Sequence, residues 1–182
     1  MKKIFKKAIK KGHFLLASGY HSEYYFQGYE LLKYPRIASK LGKEISKMWN
    51  KDDIDVVVSL AVGGIVLGHE VARALNKRHI FLERKNKEFS LERGFKLKEG
   101  ERVLLVEDVV TTGGSLKEAI RVLKKYKVRI VGITALLLRG NVKFRYPFKT
   151  LLKLKIEKYK PENCPLCRRN VPLSIPGTKQ KK

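Results

Sequence analysis

The sequence predicts an α/β fold, a twisted and mostly parallel sheet flanked by helices, and two observations carry that prediction. Short, continuously apolar and β-branched runs alternate with segments whose apolar residues recur at helical spacing, the pattern of right-handed strand–helix–strand crossovers. Two of the strands run straight into glycine-containing turns that open helices. Ligands in such sheets sit outside the carboxyl ends of the strands, so these turns are where chemistry is expected.

Behind Pro35, the residues Ile37, Leu41, Ile45 and Met48 recur at near-helical spacing and predict an amphipathic helix ending around Asn50. Residues 55–60, with Val56, Val57 and Val58 at their centre, form a buried strand. The turn Ala61, Val62, Gly63, Gly64 then leads into a second helix over 65–75, and a further short strand occupies 79–82. The polar, charged and glycine-terminated segment 83–94 is a mobile loop or a hairpin tip. Residues 102–106 make the next buried strand and 108–114 the next turn. Ser115 caps a helix in which Leu116, Ala119, Ile120 and Leu123 share one face. A last central strand covers about 128–138, and the chain shows no internal repeat or linker.

Of 182 residues, 43% are hydrophobic and 32% charged, enough apolar side chains for a core and far from the composition of a disordered chain. The longest nearly apolar run, 56–68, is broken by Ser59 and two adjacent glycines, well short of the roughly 20 residues that span a bilayer. No transmembrane helix or membrane partner is expected. The basic N-terminus is followed by an apolar stretch over 14–17 only, too short for a secretory segment, so a cytoplasmic location is expected.

The 41 Lys and Arg against 17 Asp and Glu leave a formal charge of +24, which concentrates anions and also favours adhesion to nucleic acid. The lysines are scattered rather than gathered in one motif, so they read as a solvated surface and not as a nucleic-acid site. The only cysteines, Cys164 and Cys167, exclude a disulfide framework. Their CxxC spacing is half of a zinc knuckle, but no His or third Cys lies nearby in sequence. The expectation is therefore two ordinary thiols in a turn around Pro165, and a metal would need ligands from a second subunit. His13 and His79 belong to no recognisable constellation, and His69 reads as packing within a helix.

The stretch 103–115, VLLVEDVVTTGGS, is the most informative: a buried strand, two adjacent acids, then a hydroxyl- and glycine-rich turn opening a helix. Backbone N–H groups, the hydroxyls of Thr111, Thr112 and Ser115, and the helix N-terminus can all donate to a phosphate. Glu107 and Asp108 would repel that phosphate, so they must face ribose hydroxyls or a cation. The stretch fits neither the GxxxxGK[ST] loop nor the GxGxxG fingerprint.

These residues resemble the diphosphoribose-binding signature of the phosphoribosyltransferase family: an apolar strand, two acids, two variable residues, then Thr-Thr/Ala-Gly-x-Ser/Thr. Further segments are similar to the orotate enzymes of that family, namely GHFLLASGYHSEYYFQ at 12–27, SLAVGGIVLGHEVARAL at 59–75, FLERKNKEFSLERGF at 81–95 and the tail CPLCRRNVPLSIPG. The resemblance implies a type I phosphoribosyltransferase fold in one domain over 1–175. An N-terminal hood would occupy about 1–34, a core about 35–140 and a C-terminal hood about 141–175, with 176–182 a flexible tail. It also implies transfer of a phosphoribosyl group from 5-phosphoribosyl 1-diphosphate to orotate with Mg²⁺, the ion carried mainly by the substrate, in a homodimer with shared active sites.

By the same resemblance Glu107 and Asp108 hold the ribose hydroxyls, and Val109, Val110, Thr111, Thr112, Gly113, Gly114 and Ser115 form the phosphate cradle. Gly63 and Gly64 lie in the pyrophosphate loop, which lacks the lysine that some orotate enzymes carry there. Arg84, Lys85 and Lys87 lie in the segment similar to the catalytic loop. Lys87 is the favoured catalytic lysine with Lys85 beside it, and Asp108 joins them in the catalytic set. Tyr25, Phe26, Thr111 and Arg139 would bind orotate, Arg139 as a fork for its carboxylate. Two departures stand out: the His that follows the catalytic lysine elsewhere is missing, and His21 replaces a lysine. The alternatives are a phosphoribosyltransferase for another base, or a regulator of the same fold that binds nucleic acid. Retained loop cations and no room for a helix-turn-helix segment speak against the regulator.

Overall fold

The computed structural model describes residues 2–16 and 18–176, so of the tail expected over 176–182 all but Pro176 lies outside the described residues. The chain divides into two compact units, Met1–Leu31 with Lys155–Lys182, and Leu32–Leu154.

In the first unit a short helix, α1 (Lys2–Lys6), precedes an antiparallel hairpin of β1 (Ile9–Leu15) and β2 (His21–Phe26). The sequence pattern does not announce these strands. Their pairing shifts register between Lys11 and Phe14, which breaks the two-residue alternation by which a strand is recognised. The C-terminal segment returns to this hairpin: Ser174 bridges Phe14, and Tyr159 and His21 exchange both backbone hydrogen bonds at 2.8 Å. Phe5, Phe14, Phe26 and Leu166 are buried in the unit. A single helical turn, α2 (Tyr29–Leu32), follows β2.

The second unit is the α/β sheet. Helix α3 (Pro35–Ser46) starts on a proline, whose fixed φ suits a first helical position, and buries Ala38, Leu41, Gly42 and Ile45. It stops at Ser46, short of the expected Asn50, because Asn50 instead caps a 3₁₀ turn over Lys51–Asp53. All residues of β3 (Val56–Leu60) are buried, and α4 (Gly64–Leu75) follows after a turn over 61–63, ending on Asn76 in the left-handed region. Gly42 allows the two helices to touch, since a Cβ there would lie 2.6 Å from the carbonyl carbon of Glu70.

Next come β4 (Arg78–Lys85), β5 (Glu88–Ser90), β6 (Arg102–Val110), α5 (Gly114–Lys125), β7 (Arg129–Arg139) and β8 (Phe148–Leu154). The sheet order is β5-β4-β3-β6-β7-β8, parallel throughout except where β5 folds back antiparallel on β4. Val58, Leu105, Leu116, Leu123 and Ile133 belong to its central core. The expected segment 83–94 thus contains a hairpin, and β6 runs on past residue 106. It continues because β7 stays paired beside it, Glu107 against Ala135 and Val110 against Leu138. The true turn is only 111–113. The edge strand β8 escapes sequence reading, since its half-buried residues alternate with lysines in no clear pattern. No helix among the described residues is long and apolar enough to cross a membrane.

Candidate active site

Strand β6 delivers Glu107 and Asp108 to its carboxyl end, and the turn beyond delivers the hydroxyls. A concavity of about 260 Å³ is lined by Glu107 and by residues 109–116. The helix behind it is capped by Gly113 rather than by Ser115, which lies within the first turn. Gly113 has a φ of +75°, and a Cβ there would lie 2.9 Å from both Phe144 and Val142, so glycine is required twice over. Thr111 is half-buried, while Thr112, Gly114 and Ser115 are exposed. The residues expected to cradle a phosphate therefore sit at a helix N-terminus, where N–H donors and helix dipole point the same way.

The turn after β3 closes on the same carboxylates. A Cβ on Gly63 would lie 2.8 Å from both carboxylate oxygens of Asp108, and one on Gly64 would lie 3.1 Å from the Val106 carbonyl and 3.5 Å from Glu107 Oε1. The two glycine-rich turns recognised separately in the sequence thus share one corner of the sheet. Asp108 Oδ1 accepts the Val109 N–H at 2.7 Å, and Glu107 Oε1 accepts the Asp108 N–H at 3.0 Å. Burial, then the neighbouring Asp108 charge, push the Glu107 carboxyl well above the usual range, while Arg84 acts weakly in the opposite sense. Such a pair can accept hydroxyl donors and hold positive charge that develops between them.

The hairpin of β4 and β5 turns at Asn86 and Lys87, both at positive φ, 51° and 71°. Lys87 therefore sits exposed at the tip. Lys85 is exposed and pairs with Glu92 at 3.3 Å. Arg84 is held more firmly: its guanidinium grips Glu118 of α5 at 2.8 and 3.1 Å, donates to the Lys87 carbonyl, and lies 4.1 Å above the Phe89 ring. Glu118 also accepts the Phe89 N–H at 2.9 Å, and the Arg84 contacts keep its carboxyl below its ordinary range although burial opposes them.

Arg139 ends β7, half-buried, and is followed by Gly140 at φ +122°, where a Cβ would lie 3.4 Å from the Thr111 carbonyl. The structure thus brings the end of β7 beside the hydroxyl turn. In the first unit Tyr25 is half-buried with its ring 5.7 Å from that of Phe14, whereas Phe26 is 4% exposed and stacks on Phe5.

The cysteines correct the sequence reading. Cys164 and Cys167 are not isolated thiols in a tail turn, for His13 and His21 of the same chain converge on them, with all four candidate donor atoms within 4.8 Å of one another. Residues so far apart along the chain give no spacing signal. Nor does His79 stand alone: its Nε2 lies 2.8 Å from Ser59 Oγ.

With this geometry in place, the chain compares closely with known proteins. Residues 28–160 match the model of the phosphoribosyl transferase domain. The chain is 46% identical over 176 residues to an orotate phosphoribosyltransferase of Caldicellulosiruptor bescii, covering 96% of this chain and 93% of that one. It is 44% identical over 183 residues to the orotate phosphoribosyltransferase of Thermotoga maritima, covering 98% of each. Among solved structures, the orotate phosphoribosyltransferase of Aeropyrum pernix superposes with a TM-score of 0.66 at 25% identity, over 83% of this chain and 92% of that one.

Proposed function

This chain belongs to the phosphoribosyl transferase domain family, and from that membership we propose the transfer of a ribose 5-phosphate group from 5-phosphoribosyl 1-diphosphate to orotate. The products are orotidine 5′-monophosphate and pyrophosphate, so the reaction serves pyrimidine nucleotide synthesis. The observation that carries this reading is the corner where Gly63 and Gly64 meet Glu107 and Asp108 beside the hydroxyl turn, in a chain similar along nearly its whole length to orotate enzymes.

In the reaction the anomeric C–O bond breaks with its electron pair leaving on pyrophosphate, the base nitrogen bonds to the anomeric carbon, and the nitrogen's proton is released. Positive charge builds on the ribose and negative charge on the leaving group. Asp108 and Glu107 take the ribose hydroxyls and face the cationic sugar; Val109, Val110 and residues 111–115 offer backbone and hydroxyl donors to the 5′-phosphate. Gly63 and Gly64 admit the diphosphate close to the backbone. Lys87, exposed at the hairpin tip with Lys85 and Arg84 behind it, covers the leaving group. Arg139 pairs with the orotate carboxylate beside Thr111, and Tyr25 is the aromatic residue assigned to the base; Phe26, packed inward on Phe5, supports β2.

Mg²⁺ fits this oxygen-rich corner, with Asp108 the protein group that would help hold an ion arriving on the diphosphate. It supplies charge neutralisation to the leaving group. We infer a cytoplasmic reaction, since that compartment suits two cysteines that form no disulfide, and a homodimer whose loops serve neighbouring sites.

Steady-state kinetics of Arg139→Ala and Lys87→Ala test the assignments. Loss of one preorganised donor lowers the rate by about 10²–10³. Arg139→Ala is expected to lose turnover with orotate, and Lys87→Ala to lose kcat with little change in orotate binding. A Lys87→Ala enzyme at full speed moves the loop role to Lys85.

A further inference from the structure

The four-residue cluster in the first unit takes no part in the reaction assigned above. His13 comes from β1, His21 from β2, and Cys164 and Cys167 flank and enter the helical turn Pro165–Arg168. His13 Nε2 lies 2.9 Å from His21 Nδ1, 3.5 Å from Cys164 Sγ and 3.7 Å from Cys167 Sγ, and Cys167 Sγ lies 3.2 Å from His21 Nδ1. Tetrahedral zinc with bonds of about 2.0–2.3 Å has ligand–ligand edges of roughly 3.3–3.8 Å; two of these separations fall within that span and two just below it, so small side-chain shifts turn the cluster into one coordination shell. We propose that His13, His21, Cys164 and Cys167 bind a structural Zn²⁺ ion.

Three features of the site support a metal rather than a chance meeting of side chains. The first is orientation. His13 Nδ1 lies 2.7 Å from the Val171 carbonyl, which can only accept, so Nδ1 carries the proton and the lone pair of Nε2 points into the cluster. An outer hydrogen bond of this kind orients a metal-ligating histidine and raises its basicity. The second is charge. Two thiolates, two neutral imidazoles and Zn²⁺ sum to zero, which suits a site where His13, His21 and Cys164 are 3%, 5% and 0% exposed.

The third is the backbone around the ligands, which is already clamped. His21 exchanges two hydrogen bonds with Tyr159, and the Ser174 N–H donates to the His13 carbonyl at 2.8 Å. An ion here ties the C-terminal segment to the N-terminal hairpin, closing a loop of some 150 residues between His13 and Cys164. Such a long closure removes much freedom from the unfolded chain. Two sulfurs and two imidazoles select zinc over magnesium or calcium, and four protein ligands leave no open position, so the role is structural. His21 thereby has a use other than the phosphate contact that a lysine would make at its position.

Elemental analysis of the untagged full chain, purified with its thiols reduced and incubated with Zn²⁺, is expected to find about one zinc per chain. The double variant Cys164→Ser, Cys167→Ser is expected to lose it. Should that variant fail to fold, Co²⁺ added to wild-type protein stripped of metal decides the matter, giving the visible bands of tetrahedral cobalt and a near-ultraviolet thiolate-to-cobalt band. Wild-type protein with no zinc and no such bands overturns the proposal, as does zinc retained in full by the folded double variant.

Discussion

At position 63 a methyl group has nowhere to go: it would stand 2.8 Å from both oxygens of the Asp108 carboxylate. Gly63→Ala must therefore displace the carboxylate or the turn, and a displacement of about 1 Å at a reacting centre can cost on the order of 10²-fold in rate. The expected result is that loss in kcat/KM for phosphoribosyl diphosphate with the thermal midpoint nearly unchanged; a drop in midpoint with intact kinetics would place the glycine's role in folding. His79 gives a second test at this scale. Burial, and then the nearby His69, lower its pKa from 6.5 to about 4. The unfolded chain takes up this proton first, so the stability tied to the neutral imidazole is complete above pH 6.5 and is lost as pH falls towards 4. Urea midpoints across that window should fall more steeply for wild type than for His79→Gln, and parallel curves would contradict the assignment.

Among the elements, β6 with its turn and α5 was the most legible, because strand, acids, hydroxyls and helix face are contiguous and each local preference agrees with the next. The hairpin of β4 and β5 was legible only as a polar segment, for what fixes it is a contact with a helix distant in sequence, Arg84 with Glu118 of α5. An ion pair with partners 43% and 23% exposed contributes about 0.2–1 kcal/mol, which corresponds to a change of about 1.4- to 5-fold in a local opening equilibrium. Limited proteolysis of the hairpin is expected to speed up by such a factor in Glu118→Gln, and an unchanged rate would show that the Phe89 contacts alone hold it. The strands β1, β2 and β8 were not legible. A register shift obscures the first pair, and β8 lies on the sheet edge with lysines among its half-buried residues.

At the scale of the whole molecule, the sequence carried the α/β class and the segments that resemble the orotate enzymes, while the pairing of distant groups had to come from the structure. The meeting of Gly63 with Asp108 was inferable, since parallel neighbours β3 and β6 end side by side. The meeting of His13 with Cys164 was not, because it depends on the C-terminal segment returning to the N-terminal hairpin. The charge of +24 suits a protein whose two substrates are both anions, and most of it lies on scattered lysines rather than in one motif. What distinguishes this enzyme from its relatives of the same fold is the identity of the base. The most direct measurement is turnover of the wild-type chain with phosphoribosyl diphosphate and Mg²⁺, offering orotate, uracil and adenine in parallel. Pyrophosphate release is expected with orotate alone, because only orotate presents a carboxylate to the Arg139 fork; equal turnover with uracil or adenine, or none with orotate, would refute the orotate assignment.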